Sequence, residues 1–430
     1  MSLISTIKSQ LPPRLIHDLR FLKKHVFTSA ISFYRRIRVA RIRKKKKIHI
    51  LFIAVSQAIW KVDSLYKSML NHPRFEVDIL ASPNMTLIDL SLREADFQQL
   101  KDFFDKKGYS YKEWCDVHGQ TTYKRIPDTY DIVIYPQPYA TLIPKALDYP
   151  NNKHKLLINC EYAFHSGSQA WAYNKDLQNL AWIDCYENEA ICQYSRQIKS
   201  NKGTNSYVTG LPFVDEFTKQ EYASPWKPQK TPCKKIIWAP HWTIVQEHSI
   251  LPCYSNFLTM ADFMRDFAKT HERHFQFAFK PHPWLKRELY RHPAWGKERT
   301  DAYYEEWANG ENTQLEQGQY VDLFMTSDAM VHDCSSFCCE YLLTGKPVLF
   351  MARNEKQQTD ELNKMAYSAY RAQYIGHSND DLQHFLQNQV LQGEDSMKEK
   401  RAEIANQYLK PPHGQSAANH IIAVILGENV

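Results

Sequence analysis

The sequence predicts an α/β protein of two doubly wound domains facing a cleft, preceded by a basic amphipathic arm. Three observations predict it. From Ile48 onward short β-branched runs alternate with amphipathic stretches, the pattern of parallel strands joined by helices. The alternation restarts after a segment rich in proline and lysine, Ser224 to Lys235. At 430 residues, 43% apolar and 23% charged, the chain is long enough for two cores and too apolar for a disordered protein.

Residues 1–45 form the arm. Residues 1–47 hold 14 Lys plus Arg against Asp18 alone, a charge of +13 in a chain whose net charge is +7, so the remainder carries −6. Leu15, Leu19, Leu22 and Val26 fall at helical spacing between cations, and Arg35 to Lys47 is nearly continuous base. Such an arm docks on anionic lipid, at about 1 kcal/mol per cation near the surface. A solvated or nucleic-acid-binding tail is the blander reading, but no nucleic-acid motif follows it.

The first domain, 46–223, begins with a predicted strand at Ile48–Val55 and a helix over about 57–70. Glu76–Leu80 follows as a strand and 91–107 as a helix. Asp131–Tyr135 and Lys155–Asn159 read as strands, 187–199 as a helix and Ser206–Thr209 as a last strand. Residues 224–235, with three prolines, read as an exposed linker. In the second domain, 236–412, strands are expected at Lys235–Trp238, Phe275–Phe279, Ala329–His332 and Pro347–Met351. Its helices are expected near 255–272, 336–344, 379–391 and 396–409. The stretch from Lys286 to Asp322 has only weak periodicity and receives no assignment. Gln415 to Leu426 is largely apolar, and residues 413–430 are expected to form a helix that packs back on the first domain.

Composition narrows the chemistry. With 13 glycines and neither a Gly-x-Gly-x-x-Gly nor a Walker-type loop, a phosphate site has to be built some other way. Nine cysteines without a Cys-x-x-Cys, and no cleavable signal, point to a reduced, cytosolic chain. Apolar runs such as Ile50–Val55 fall far short of the roughly 20 residues that cross a bilayer. There is no Asp-x-Asp and no His, Cys or carboxylate cluster at metal-ligand spacing, so no metal and no cofactor is expected.

Three segments end predicted strands of the second domain with polar groups: Ala239-Pro-His241-Trp-Thr243, Lys280-Pro-His282-Pro283 and His332-Asp333-Cys-Ser335-Ser336. Open parallel sheets bind ligands beyond the carboxyl ends of their strands, so all three face one edge. Ser335 or Ser336 can cap the helix that follows, whose N-terminus favours an anion. His282 can donate to a phosphate oxygen and Lys280 can add charge. A plain helix cap and a surface His-Pro turn are the structural alternatives, and His241 reads equally well as structural. In the first domain, Cys160-Glu161-Tyr-Ala-Phe-His165-Ser-Gly167 follows a predicted strand. His165 is a candidate general base for an acceptor hydroxyl, and Glu161 is a second candidate. Thr209 to Asp215 reads as a turn at the domain junction.

Taken as a trio, Ala239–Thr243, Lys280–Pro283 and His332–Ser336 through Gly345-Lys-Pro347 resemble the CDP-glycerol:poly(glycerol phosphate) glycerophosphotransferases of teichoic-acid and capsule synthesis. The resemblance runs from about Leu156 to Leu426. It implies a GT-B architecture and a donor pyrophosphate held by His282, Ser335 and Ser336, with Lys280, Asp333 and His241 beside them and Thr243 and Glu340 toward the nucleotide. Thr243 stands where that family has an arginine, and Cys334 where it has a tyrosine. The family's base is a histidine in a Trp-His-Gly element, whose nearest counterpart here is His165-Ser-Gly167.

The implied activity is transfer of a glycerol-phosphate or similar polyol-phosphate unit from a CDP-linked donor to a lipid-linked surface glycan, with CMP leaving. The implied location is the inner face of the cell membrane, as a peripheral protein on anionic lipid, with no nucleic-acid partner. The His-Pro and Ser-Ser pairing also resembles elements of bacterial sialyltransferases, which makes a nucleotide-sugar glycosyltransferase the alternative. A non-catalytic membrane-bound scaffold is the alternative from another class.

Overall fold

The computed structural model of the protein describes residues 34–245 and 253–428. Most of the expected arm, residues 1–33, lies outside them. The first sheet holds β1 (Ile48–Ala54), β2 (Phe75–Ala81), β3 (Tyr111–Glu113), β4 (Ile132–Tyr135), β5 (Leu156–Asn159), β6 (Ile183–Tyr186) and β7 (Ser206–Val208). The second holds β8 (Lys234–Ala239), β9 (Phe275–Phe279), β10 (Thr313–Leu315), β11 (Ala329–His332), β12 (Val348–Met351) and β13 (Tyr374–Gly376). Their orders are β3-β2-β1-β4-β5-β6-β7 and β10-β9-β8-β11-β12-β13, and the pairings are parallel throughout. Helices cover both faces, so central strands such as β4 (IVIY) are buried along their whole length and read as continuous apolar runs.

Local chemistry fixes the helix ends. Asp89 accepts from the N–H groups of Ser91 and Leu92 to start the 18-residue helix Leu90–Lys107, which ends at Gly108 in the left-handed region (φ 67°). The helix predicted from residue 57 begins only at Asp63; residues 55–62 are a loop at the end of β1. The unassigned stretch contains helices Leu285–Arg291 and Gly296–Asn309, then β10. The second of these helices buries Thr300, Tyr303, Tyr304 and Trp307, a helical stripe made of aromatics with polar atoms.

The expected linker is exposed at Ser224, Pro225, Pro228 and Lys230 to Pro232 but is anchored at its centre. Trp226 is buried in the core, its indole N–H donates to Thr326 Oγ1 at 3.1 Å, and the Lys227 N–H donates to Gln314 Oε1 at 2.9 Å. Burying an indole outweighs the preference of a proline-rich segment for solvent. After the second domain the chain returns. Helix Ala417–Leu426 buries Ile421 and Ile425 with Ile42, Leu65 and Met69 of the first domain, while Asp215 accepts from the N–H groups of Ala417 and Ala418 at 2.7 and 3.0 Å. Among the described residues, no helix is long and apolar enough to cross a membrane.

Candidate active site

Both sheets reverse strand order once, between β1 and β4 and between β8 and β11, and the loops leaving those strands open toward each other. They line a cleft of about 580 Å³ with Lys61, Tyr139 and the 161–167 loop on one wall. Lys280, His282, Tyr320, Ser335, Ser336 and Glu340 form the other.

On the first wall, the loop after β5 carries Glu161 and His165, and Glu187 follows β6 just before Asn188 caps helix Glu189–Ile198. Glu187 holds His165 twice: its Oε2 lies 3.0 Å from Nδ1 and its Oε1 accepts the His165 backbone N–H at 2.9 Å. That bond places a proton on Nδ1 and turns Nε2, which has no hydrogen-bond partner, into the free nitrogen. Tyr173 and Tyr186 stack on the two sides of the ring, at 5.2 and 5.3 Å. Glu161 Oε1 stands 3.6 Å from Nε2, beyond hydrogen-bond reach, and takes amide donors from Asn159 and Gln178 at 3.3 and 3.2 Å. Burial pushes the imidazolium down in pKa, but the carboxylates of Glu187 and Glu161 overcome it and raise His165 to about 10. The loop is also stapled to the second domain: the Ser168 N–H donates to Glu361 O and the Asn363 N–H to Ser166 O, both at 2.9 Å.

On the facing wall, His282 Nδ1 accepts the Trp284 N–H at 3.1 Å. Burial, then the charges of Lys280 and Arg287, push its pKa down to about 3, so the ring is neutral with its proton on Nε2, a hydrogen-bond donor. Ser335 and Ser336 lie beside it on the cleft wall. Neither serine caps the following helix: Ser336 is itself helical (φ −67°, ψ −38°), makes no capping bond, and its Oγ lies 3.1 Å from Cys334 Sγ. The helix is also shorter than predicted, one α-turn (Phe337–Glu340) and one 3-10 turn (Tyr341–Thr344) closed by Gly345 at φ 71°. Lys280 Nζ donates to Gly318 O at 3.1 Å, and Glu340 accepts from the Tyr320 hydroxyl.

Three residues expected at the pyrophosphate or nucleotide stand behind the wall. Both carboxylate oxygens of Asp333 are taken by backbone N–H groups, of His241 at 2.6 Å and Asn256 at 2.7 Å, which ties the ends of β8 and β11 together. Burial pushes its carboxyl up to about 7. His241 bonds Thr243 Oγ1 through Nδ1 at 2.9 Å and packs against His282 with ring centres 5.1 Å apart. Thr243 is fully buried and accepts the Tyr254 N–H at 3.0 Å. These three hold His282 and the Ser-Ser turn in place.

Sequence reasoning missed Glu187, Lys61 and Tyr320. Glu187 follows Ile183-Asp-Cys-Tyr186, whose aspartate interrupts the apolar run and hides β6. Lys61 sits in the loop read as helix, and Tyr320 in the unassigned stretch. Among the described residues, no group of three or more His, Cys, Asp or Glu could hold a metal ion.

Two parallel-sheet domains with a substrate-sized cleft between their switch points define a GT-B-type fold. A putative UDP-N-acetylglucosamine 2-epimerase from Listeria monocytogenes is similar, with TM-score 0.53 and 15% identity over 88% of this chain and 96% of that one. So is the UDP-GlcNAc 2-epimerase from Neisseria meningitidis bound to UDP-GlcNAc, with TM-score 0.53 and 14% identity over 89% and 100%. A variant of the wall teichoic acid polymerase TagF soaked with CDPG gives TM-score 0.55 and 12% identity over 95% and 97%. At these identities the likeness shows the fold. No curated protein sequence matches. Residues 184–427, more than half of the chain, match the profile of the CDP-Glycerol:Poly(glycerophosphate) glycerophosphotransferases, and the chain belongs to that family of enzymes.

Proposed function

We propose that this enzyme moves a glycerol-phosphate or related polyol-phosphate unit from a CDP-linked donor to a hydroxyl of a lipid-linked surface polysaccharide of the teichoic-acid type. The observation that carries the reading is the His165–Glu187 pair facing His282, Ser335 and Ser336 across one cleft. Family membership and the similarity to a teichoic acid polymerase soaked with CDPG support it.

The donor diphosphate lies against the Ser335 and Ser336 hydroxyls, His282 Nε2–H and the Lys280 ammonium. The acceptor hydroxyl meets His165 Nε2, which takes its proton as the oxygen attacks the β-phosphorus. The new O–P bond forms as the bond from the β-phosphorus to the bridging oxygen breaks, and CMP leaves with that electron pair. Glu187 and Glu161 then hold the imidazolium, which is why His165 binds a proton so strongly. The reactive form carries a neutral His165, so the rate climbs with pH. Charge on the diphosphate is met by side chains without a metal, and EDTA leaves the rate unchanged. The enzyme works on the inner face of the cell membrane, held there by the cations of residues 1–47; without them it no longer sediments with anionic vesicles.

Release of CMP from CDP-glycerol, with and without a poly(glycerol phosphate) acceptor, tests the reading. Acceptor-dependent CMP is expected, lost in His165→Asn. Turnover of a CMP-sugar but not of CDP-glycerol would mean sugar transfer instead, and turnover of neither by folded protein would remove both readings.

A further inference from the structure

The mechanism above leaves Lys61 unused. Its loop leaves β1 in the first domain, but the side chain crosses the cleft, and Nζ stands 3.5 Å from the centre of the Tyr320 ring in the second domain. Lys280 Nζ approaches the same ring at 5.4 Å. Among the described residues, Lys61 Nζ donates no hydrogen bond and has no carboxylate within 4.0 Å; its charge partners are the Glu340 carboxylate, which Tyr320 already engages, and the like-charged Lys280. An ammonium has three N–H donors, and one in a narrow cleft with none of them used is set for an anion.

We propose that Lys61 is a donor-binding residue supplied by the acceptor-side domain, clamping the transferable phosphate of the nucleoside diphosphate donor between itself and Lys280. This rests on the reading of the cleft as a CDP-donor site. The inner phosphate, shared with CMP, lies toward Ser335 and Ser336; the outer one, which CMP lacks, lies between the two lysines. One lysine comes from each domain, so the outer phosphate bridges them and its arrival favours the arrangement that brings His165 to the reacting centre.

Titration supports the geometry. Burial pulls Lys61 down to about 8, with Glu340 opposing and Lys280 adding to the fall. Burial also lowers Lys280 to about 8, with Glu316 and Glu340 opposing. Tyr320, the remaining group that faces them, stays protonated because burial and Glu340 hold its pKa well above the ordinary value. A phosphate between the lysines restores both protons, so affinity for a diphosphate falls as pH rises through 8 while both lysines are present.

The test is calorimetric titration of the full-length protein with CDP and with CMP. In Lys61→Met, CDP affinity falls about 30-fold and CMP affinity less than threefold. Lys61→Arg recovers CDP affinity to within a few-fold and, with only Lys280 left to lose its charge, gives up less of it by pH 9.5 than the wild type does. Equal CDP affinity in wild type and Lys61→Met overturns the assignment, and so does parallel loss of CDP and CMP, which would make Lys61 a latch between domains. Should Lys61→Met fail to fold, the pH dependence of CDP affinity in Lys61→Arg against wild type decides: identical curves overturn the proposal. If the wild type binds neither CDP nor CDP-glycerol, the donor reading itself has failed, a result distinct from every outcome set by the variants.

Discussion

Glu187→Gln is the substitution that bears most sharply on how His165 works. It keeps size and shape and removes the charge 3.0 Å from Nδ1. His165 is raised to about 10 although burial acts to lower it, so the carboxylates account for the whole rise, Glu187 ahead of Glu161. At pH 7 a group with that pKa is neutral in about one molecule in 10³. With glutamine at 187, burial is opposed by Glu161 alone and the pKa returns toward the ordinary value of about 6.5. The assay is kcat for CMP release against pH from 6 to 10.5, with CDP-glycerol and acceptor saturating so that the lysines of the donor site stay charged. The wild-type log kcat climbs with unit slope from pH 7 to about 9.5. The variant levels off near pH 7 to 8, at a plateau about 10- to 100-fold lower because its base is weaker and less well oriented, so the two curves cross between about pH 8 and 9 and the variant is the faster enzyme at neutrality. A wild-type rate flat from pH 6 to 9, or a variant that keeps the wild-type limb, would show that His165 does not accept the proton and would pass that role to Glu161.

Stability carries further expectations. His165 has a folded pKa above its unfolded one, so its contribution is complete below about pH 6.5 and is lost as pH rises through 10. The urea-unfolding difference between wild type and His165→Asn therefore shrinks by on the order of 3 kcal/mol between pH 6.5 and 10.5. Trp226→Ala, which empties a core position in the supposed linker, costs about 3 kcal/mol in urea unfolding. Asp215→Ala removes the acceptor of two backbone N–H groups, costs about 1 to 3 kcal/mol and makes the Ala417–Leu426 helix the first site of limited proteolysis.

The fold was legible where the physics is one-dimensional. Strands buried on both faces read as apolar runs, so β1, β4, β9 and β11 stand out in the sequence, and helix Leu90–Lys107 carries its own stop at Gly108. Of the three-residue edge strands, β7 stands out, while β3, β10 and β13 leave too little pattern to find. The site divides in the same way. His165, His282 and the Ser-Ser turn lie on strand-end loops whose composition points to chemistry, and in the structure they face one another. Whether a polar side chain at a strand end faces the cleft or the backbone behind it is set by packing across the sheet: Asp333 is drawn to the N–H groups of His241 and Asn256, residues 92 and 77 positions away. Glu187 meets His165 because β5 and β6 are neighbours in one sheet, a pairing the sequence hides, whereas Lys61 meets Tyr320 only once the two domains face each other.

The central claim, phosphoryl transfer to an acceptor hydroxyl with His165 as base, is tested most directly by product analysis after incubation with CDP-[¹⁴C]glycerol and a poly(glycerol phosphate) acceptor. The account predicts CMP and incorporated glycerol phosphate in equal amounts, with His165→Asn reduced by at least about 100-fold while still binding CDP-glycerol. Appearance of CDP in place of CMP would place the broken bond between glycerol and phosphate, and full activity in His165→Asn would remove the base; either result contradicts the account.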